Sequence, residues 1–302
     1  MSAHQGPVFI VGCSRSGTTL LQSILANTPY FVGFPETNVL YHVLNGLDYH
    51  RHSARLIGRS GLPKVLLGRL LNNIGLTTNF VWEEQESFID FLESQGMDNK
   101  ARLLSGRRYS ISAIFKKFDS IMTELAGSRS WIEKSPQNIF CLYLLNSHFQ
   151  DARFLHIVRD GEATIGSILD AANRYASFRS RFGGADGLKK AISYYNKAVL
   201  ESVKWNNHPR HLLLRYEDLA AQPNEALKPL EQFLGIKIDS EYISYRTQGI
   251  VRDDEEWKKN QETISLAESK FQVILSREEQ QEAKKTLIQA DAVIPRRLMK
   301  IA

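Results

Sequence analysis

The segment from residue 7 to residue 25 constrains the chain most. Pro7-Val8-Phe9-Ile10-Val11-Gly12 is a short apolar, β-rich run that ends in glycine, and from Thr18 onward Leu20, Leu21, Ile24 and Leu25 recur at helical spacing. Between them, Gly12-Cys13-Ser14-Arg15-Ser16-Gly17-Thr18-Thr19 has the G-x-x-x-x-G spacing of an anion-cradling loop, in which backbone N–H groups and a helix N-terminus surround a phosphate-like charge. Strand, glycine loop and helix in that order leave few architectures open. Residues 130–133, 153–158 and 211–215 read as further strands, each followed by a helical pattern. The alternation predicts an α/β fold with a P-loop-like, mainly parallel sheet flanked by helices.

The loop departs from the ATP- and GTP-binding pattern. Thr18 stands where those loops carry the lysine that reaches the β- and γ-phosphates, and a cation sits earlier instead, as Arg15. No acid that would hold magnesium follows an apolar strand directly: the run Leu155-His156-Ile157-Val158 leads into Arg159 before Asp160. Asp160 is placed to cap a helix with Ile165, Ile168 and Leu169 on one face, and further helices are expected over 187–205 and 225–233. Residues 41–129 show helical periodicity and no clear strand. They are too long for a simple crossover and read as a mostly helical insertion within a single domain spanning 1–302.

Composition excludes several classes. With 302 residues, 43% of them hydrophobic, and no low-complexity tract, the chain is neither disordered nor fibrous. Its longest apolar runs fall far short of the roughly 18–20 residues that cross a bilayer, so no membrane partner is expected. The first residues lack the features of a secretion signal, and Cys13 and Cys141 make no disulfide framework or zinc motif, so a cytoplasmic setting without a metal is expected. The net charge of +5 is spread along the chain with no nucleic-acid-binding motif. It reads as solvated surface charge, with no nucleic-acid partner, and oligomeric state is not legible.

Arg15-Ser16-Gly17-Thr18-Thr19, placed after the right strand, resembles the 5′-loop of sulfotransferases that use 3′-phosphoadenosine-5′-phosphosulfate. That family pairs a strand-end arginine with a serine eight residues on at the donor's 3′-phosphate, and Arg159 and Ser167 reproduce the pair. Trp131 to Asn138 is similar to the family segment whose lysine, here Lys134, lies near the scissile bond. Leu214 to Leu219 is similar to the stretch whose tyrosine, here Tyr216, lies near the adenine. The resemblance covers residues 7–40, 130–170 and 211–223 and leaves 41–129 uncovered. It is nearest in motif style to the bacterial and protein-tyrosine branches. The arginine-lysine-glycine cluster that ends many cytosolic members is absent, which leaves Arg252 or Lys258 as the late cationic contact.

The resemblance implies transfer of a sulfuryl group to a hydroxyl or amine, and the lack of a secretion signal points to a small intracellular acceptor, a sugar or a specialised metabolite. Arg15 and Lys134 would neutralise charge at the leaving oxygen, and Glu36 in Phe34-Pro35-Glu36-Thr37-Asn38 would be the general base. Arg15 to Thr19, Arg159, Ser167 and Tyr216 would hold the donor. His42, His50 and His52 are rival bases. A phosphate-loop kinase and a non-catalytic nucleotide-binding protein are the readings from other classes. The aromatic residues Tyr41, Tyr49, Trp82, Phe88, Phe91 and Tyr109 of the insertion recur at helical spacing and read as core, with a pocket wall as the alternative.

Overall fold

The computed structural model describes residues 6–41, 88–98, 101, 111–246, 248–251 and 270–294. These fall into two compact units. One comprises Met1–Glu36, Arg129–Phe140 and Asp151–Ala302; the other comprises Thr37–Ser128 and Cys141–Gln150.

The first unit holds the sheet. Its strands are β1 (Val8–Gly12), β2 (Phe31–Gly33), β3 (Ser130–Glu133), β4 (Arg153–Val158) and β5 (His211–Arg215). Among the described residues they form one five-stranded sheet in the order β2-β3-β1-β4-β5, and every pairing is parallel. All five residues of β1 are buried, as expected of a parallel strand covered on both faces. Val8 and Ile10 face a core with Leu21, Ile24 and Leu25 of α1 (Thr18–Asn27), Leu155, Leu214, and Leu227 and Leu230 from the helix after β5. Phe9 points the other way, edge-on to Trp131 at 5.5 Å and stacked on Phe154 at 5.1 Å. Truncating one of the buried leucine or isoleucine side chains of this core to alanine costs about 2–5 kcal/mol.

Helix boundaries follow local chemistry. In α4 (Gly161–Arg174) the Asp160 carboxylate accepts the Ala163 amide at 2.8 Å, the expected N-cap. Ile165, Ile168 and Leu169 are buried on its inner face. The next helices are α5 (Ala176–Phe182), α6 (Gly187–Lys204), α7 (Tyr216–Ala221) and α8 (Pro223–Leu234). Gly235 closes α8 in the left-handed region at φ 64°. Strand β2 was not anticipated from the sequence. Three residues show no period, and Phe31–Gly33 becomes a strand by pairing with Ser130, Trp131 and Ile132 of β3.

In the second unit are α2 (Ile111–Ala126), α3 (Leu142–His148) and a helical turn at 88–94. Phe88 stacks on Phe91 at 6.1 Å and tilts against Phe118 at 5.1 Å, so both aromatic residues of the turn are core. Tyr49, Trp82 and Tyr109 lie outside the described residues, as does most of the expected insertion.

Candidate active site

The residues singled out from the sequence follow the carboxyl ends of the strands, one strand each. Glu36 comes after β2, Lys134 after β3, the glycine loop after β1, Arg159 after β4 and Tyr216 after β5. Ligands of open parallel sheets bind at this edge. From β2 to β5 is four interstrand spacings, about 19 Å.

The loop is pinned from below. Ser16 donates its hydroxyl to the Ile157 carbonyl of β4 at 3.0 Å, and its amide bonds the Cys13 carbonyl at 3.2 Å. Ser16 is thus the anchor of the loop, with both donors committed inside the protein. Gly12 lies so close to β4 that a Cβ there would sit 2.5 Å from the Ile157 carbonyl oxygen. Gly17 has φ 100°, and a Cβ on it would fall 2.4 Å from Tyr216 Cδ2. No side chain caps α1 and no acid occupies its first turn, so within the helix itself no side chain competes with an anion at the N-terminus that Thr18 and Thr19 begin. Thr18 is buried and Thr19 half-buried.

Arg15 joins the two motifs. Its backbone takes the left-handed conformation at φ 72°, costly for a residue with a Cβ. Two contacts hold it there: Arg15 Nε donates to Ser167 Oγ at 3.0 Å, and Arg159 Nη1 donates to the Arg15 carbonyl at 3.3 Å. Arg159 is 8% exposed and its guanidinium lies 4.5 Å from the centre of the Tyr216 ring. That stacking follows from register, because Val158 pairs with Arg215 and the next residue on each strand is therefore a neighbour. Burial and the adjacent Arg159 hold the Arg15 pKa below its usual value. Two guanidinium groups kept this close make a site that an anion would neutralise.

At the other flank Lys134, fully buried, donates to a carboxylate oxygen of Glu36, whose side chain is 18% exposed. A buried ammonium requires such a partner. The structure thus brings together Arg15, Arg159, Ser167 and Tyr216 at one place, and Glu36 with Lys134 at another along the same edge. His42, His50, His52, Arg252 and Lys258 lie outside the described residues.

Sequence reasoning missed the support supplied by α6. Tyr195 donates its hydroxyl to the Arg159 carbonyl at 2.9 Å, and Tyr194 shares a 2.9 Å hydrogen bond with Ser14 Oγ in the loop. Burial pushes the Tyr194 phenol up to about 12, so it stays a neutral hydrogen-bonding partner. Glu217 accepts the Asp160 amide at 2.7 Å and pairs with Arg215 at 3.1 Å, fixing the turn that presents Arg159. Two adjacent tyrosines on a helix carry no motif that would have announced this.

No helix among the described residues is long and apolar enough to cross a membrane. Protein-tyrosine sulfotransferase A of Caenorhabditis elegans is 23% identical over 244 residues, which cover 79% of this chain and 52% of that protein, so the chain spans about half the length of this relative. The omega-hydroxy-beta-dihydromenaquinone-9 sulfotransferase Stf3 of Mycobacterium bovis is 24% identical over 292 residues, covering 86% of this chain and 70% of that one. The solved sulfotransferase domain of the Synechococcus PCC 7002 olefin synthase shares the fold, with a TM-score of 0.53 and 22% identity over 94% of this chain and 95% of that one. A profile of the sulfotransferase family matches residues 7–240, a span that includes all five strands and every residue placed at their carboxyl ends, and the chain belongs to that family.

Proposed function

We propose that this chain transfers the sulfuryl group of 3′-phosphoadenosine-5′-phosphosulfate to a hydroxyl or amine of a small acceptor, with Glu36 as general base. The supporting observation is the order in which the sheet delivers its residues: Tyr216, Arg159 with Ser167, the Arg15 loop, Lys134, Glu36. A bisphosphorylated nucleoside laid along that edge meets cations at its 3′-phosphate first, loop amides at its 5′-phosphosulfate next, and a lysine–carboxylate pair where the acceptor arrives. The residues suit that donor. Ser167 Oγ already accepts from Arg15, so its own O–H is left to donate to a phosphate oxygen while Arg159 supplies charge. The loop amides from Gly17 to Thr19 face the 5′ end, and Tyr216 supports both Gly17 and Arg159 from beneath.

In the proposed reaction the acceptor oxygen attacks sulfur in line. The new S–O bond forms as the bond to the phosphate oxygen breaks, and adenosine 3′,5′-bisphosphate leaves with the electron pair. Glu36 takes the acceptor's proton. As its carboxylate is neutralised, Glu36 holds the Lys134 ammonium less strongly and more of that positive charge acts on the departing oxygen, so the ion pair couples deprotonation to leaving-group stabilisation. The test is titration calorimetry with adenosine 3′,5′-bisphosphate, ATP and GTP, with and without magnesium. Magnesium-independent binding of the bisphosphate alone is the expected result, and binding of ATP or GTP only with magnesium would replace this reading with a kinase.

A further inference from the structure

Two buried amides are left over by the fold. Asn138 is 0% exposed, and neither Nδ2 nor Oδ1 has a hydrogen-bond partner. Gln22, also 0% exposed, donates Nε2 to the Phe34 carbonyl at 2.7 Å while Oε1 has none. Buried polar atoms are nearly always paired, and orphans mark places where something else completes the set. The orientation of Gln22 is fixed by chemistry, because turning the amide over would set Oε1 against the Phe34 carbonyl oxygen. For Asn138 the orientation is immaterial, since both ends are open.

Both amides belong to the segments next to Glu36 and Lys134. Gln22 on α1 holds Phe34, two residues before Glu36. Asn138 lies one turn beyond Lys134, its backbone N–H donating to the Ser135 carbonyl at 2.9 Å at the start of the short 3-10 helix Pro136–Cys141. They therefore stand beside the carboxyl ends of β2 and β3, at the opposite side of the sheet from β4 and β5, which carry Arg159 and Tyr216.

The open atoms select the ligand. Oε1 of Gln22 and Oδ1 of Asn138 are acceptors and need O–H or N–H donors. Sulfuryl and phosphate oxygens donate nothing, and the nucleoside's own donors belong at the β4–β5 flank. We propose that Gln22 and Asn138 form an acceptor subsite for a polyhydroxylated substrate, a sugar or cyclitol, whose further hydroxyl groups pair with these amides beside the one that is attacked. This rests on the sulfuryl-transfer reading above. Asn138 offers both the N–H donors and the carbonyl acceptor of its amide, so it can accept from a hydroxyl and donate to one, and a site built to pair with a hydroxyl rejects analogues that lack it far more strongly than an apolar pocket can.

The test uses the full chain, sulfur-35 donor, and two acceptor sets: glucose, N-acetylglucosamine and myo-inositol against 1-octanol and 1-dodecanol. Bisphosphate binding is measured in parallel by calorimetry. Label should pass to at least one polyol with kcat/KM about tenfold or more above either alkanol. Asn138→Leu, which keeps the branching and removes the polar atoms, should raise KM for that polyol about tenfold or more and leave bisphosphate affinity within about twofold. Its melting temperature should rise, since an orphaned amide is gone. Asn138→Ser is the second variant if the leucine form does not fold, and it should show the smaller KM rise of a residue that keeps one hydroxyl. Preference for alkanols, no label on any polyol, or an unchanged polyol KM in the variants overturns the subsite while bisphosphate binding leaves the donor reading standing. Wild-type protein that binds no bisphosphate removes the donor reading, and the subsite with it.

Discussion

Arg159→Ala tests the donor end of the site, and its size can be worked from the contacts. The guanidinium is 8% exposed, so its hydrogen bonds to a 3′-phosphate would form largely out of water. A charge-assisted bond of that kind contributes about 1.5–3 kcal/mol. At about 1.4 kcal/mol per decade, affinity for adenosine 3′,5′-bisphosphate should fall roughly 10- to 150-fold. The free protein changes less. It loses the stacking on Tyr216, worth about 0.5–2 kcal/mol, and the bond to the Arg15 carbonyl, and it gains relief from the neighbouring Arg15 charge. The Tyr195 hydroxyl bonds the backbone of residue 159 and survives the substitution. Calorimetry should compare the bisphosphate with adenosine 5′-phosphate, which lacks the 3′ group. The first ligand should weaken by the stated factor and the second by about twofold at most. Equal loss for both would mean that Arg159 shapes the loop instead of reading the 3′-phosphate, and no loss for either would remove it from the donor site. Arg159→Lys keeps the charge without the planar fork and should recover part of the affinity.

Glu36→Gln should lower turnover by about 10²–10⁴-fold with bisphosphate affinity nearly intact, and turnover within a few-fold of wild type would remove Glu36 as base. The same variant should melt lower, because buried Lys134 is left without its carboxylate, a loss of up to about 3–5 kcal/mol; an unchanged melting temperature would contradict the pairing. Gly17→Ala forces a Cβ into the Tyr216 ring at a φ of 100°, so both bisphosphate binding and melting temperature should fall, and retention of either would contradict the packing of loop on ring. Stability should also drop in mild acid. His156 and His211 share a 2.9 Å hydrogen bond, and burial lowers their pKa values to about 3 and about 2. Both folded values lie below the ordinary histidine value, so the unfolded chain takes up protons first as pH falls; the stability is complete above about pH 6.5 and is lost toward pH 3. Between pH 7 and pH 5 His156 alone should remove about 2 kcal/mol, read as a shift in the urea midpoint, and a flat profile there would refute the neutral buried pair.

What the sequence disclosed was local. The β1–loop–α1 unit and the Asp160-capped helix after β4 each depend on periodicity and end chemistry within a few residues, and both stand where expected. β2 escaped because a three-residue strand has no period; only its partner β3, about 100 residues away, defines it. Glu36 and Lys134 were legible one at a time, as base and as leaving-group cation. Their ion pair was not, since 98 residues separate them and pairing of β2 with β3 alone brings them into reach. Gln22 and Asn138 were invisible for another reason. An amide reads as a surface residue until its burial and its unpaired polar atoms are seen.

The same logic explains why two motifs some 140 residues apart act at one point. Each is weak alone, a glycine spacing and an arginine with a serine eight residues later. Sheet order makes them neighbours, because β4 lies beside β1 with Gly12 opposite Ile157. Ser16 then ties the loop to Ile157, and Arg15 reaches across to Ser167 two turns into α4. An arginine in a left-handed conformation, held by a serine and an arginine of the other motif, is stable only if both motifs are in place. The 5′ and 3′ halves of the donor site are therefore one mechanical unit, and a substitution in either half is felt by the other through Arg15.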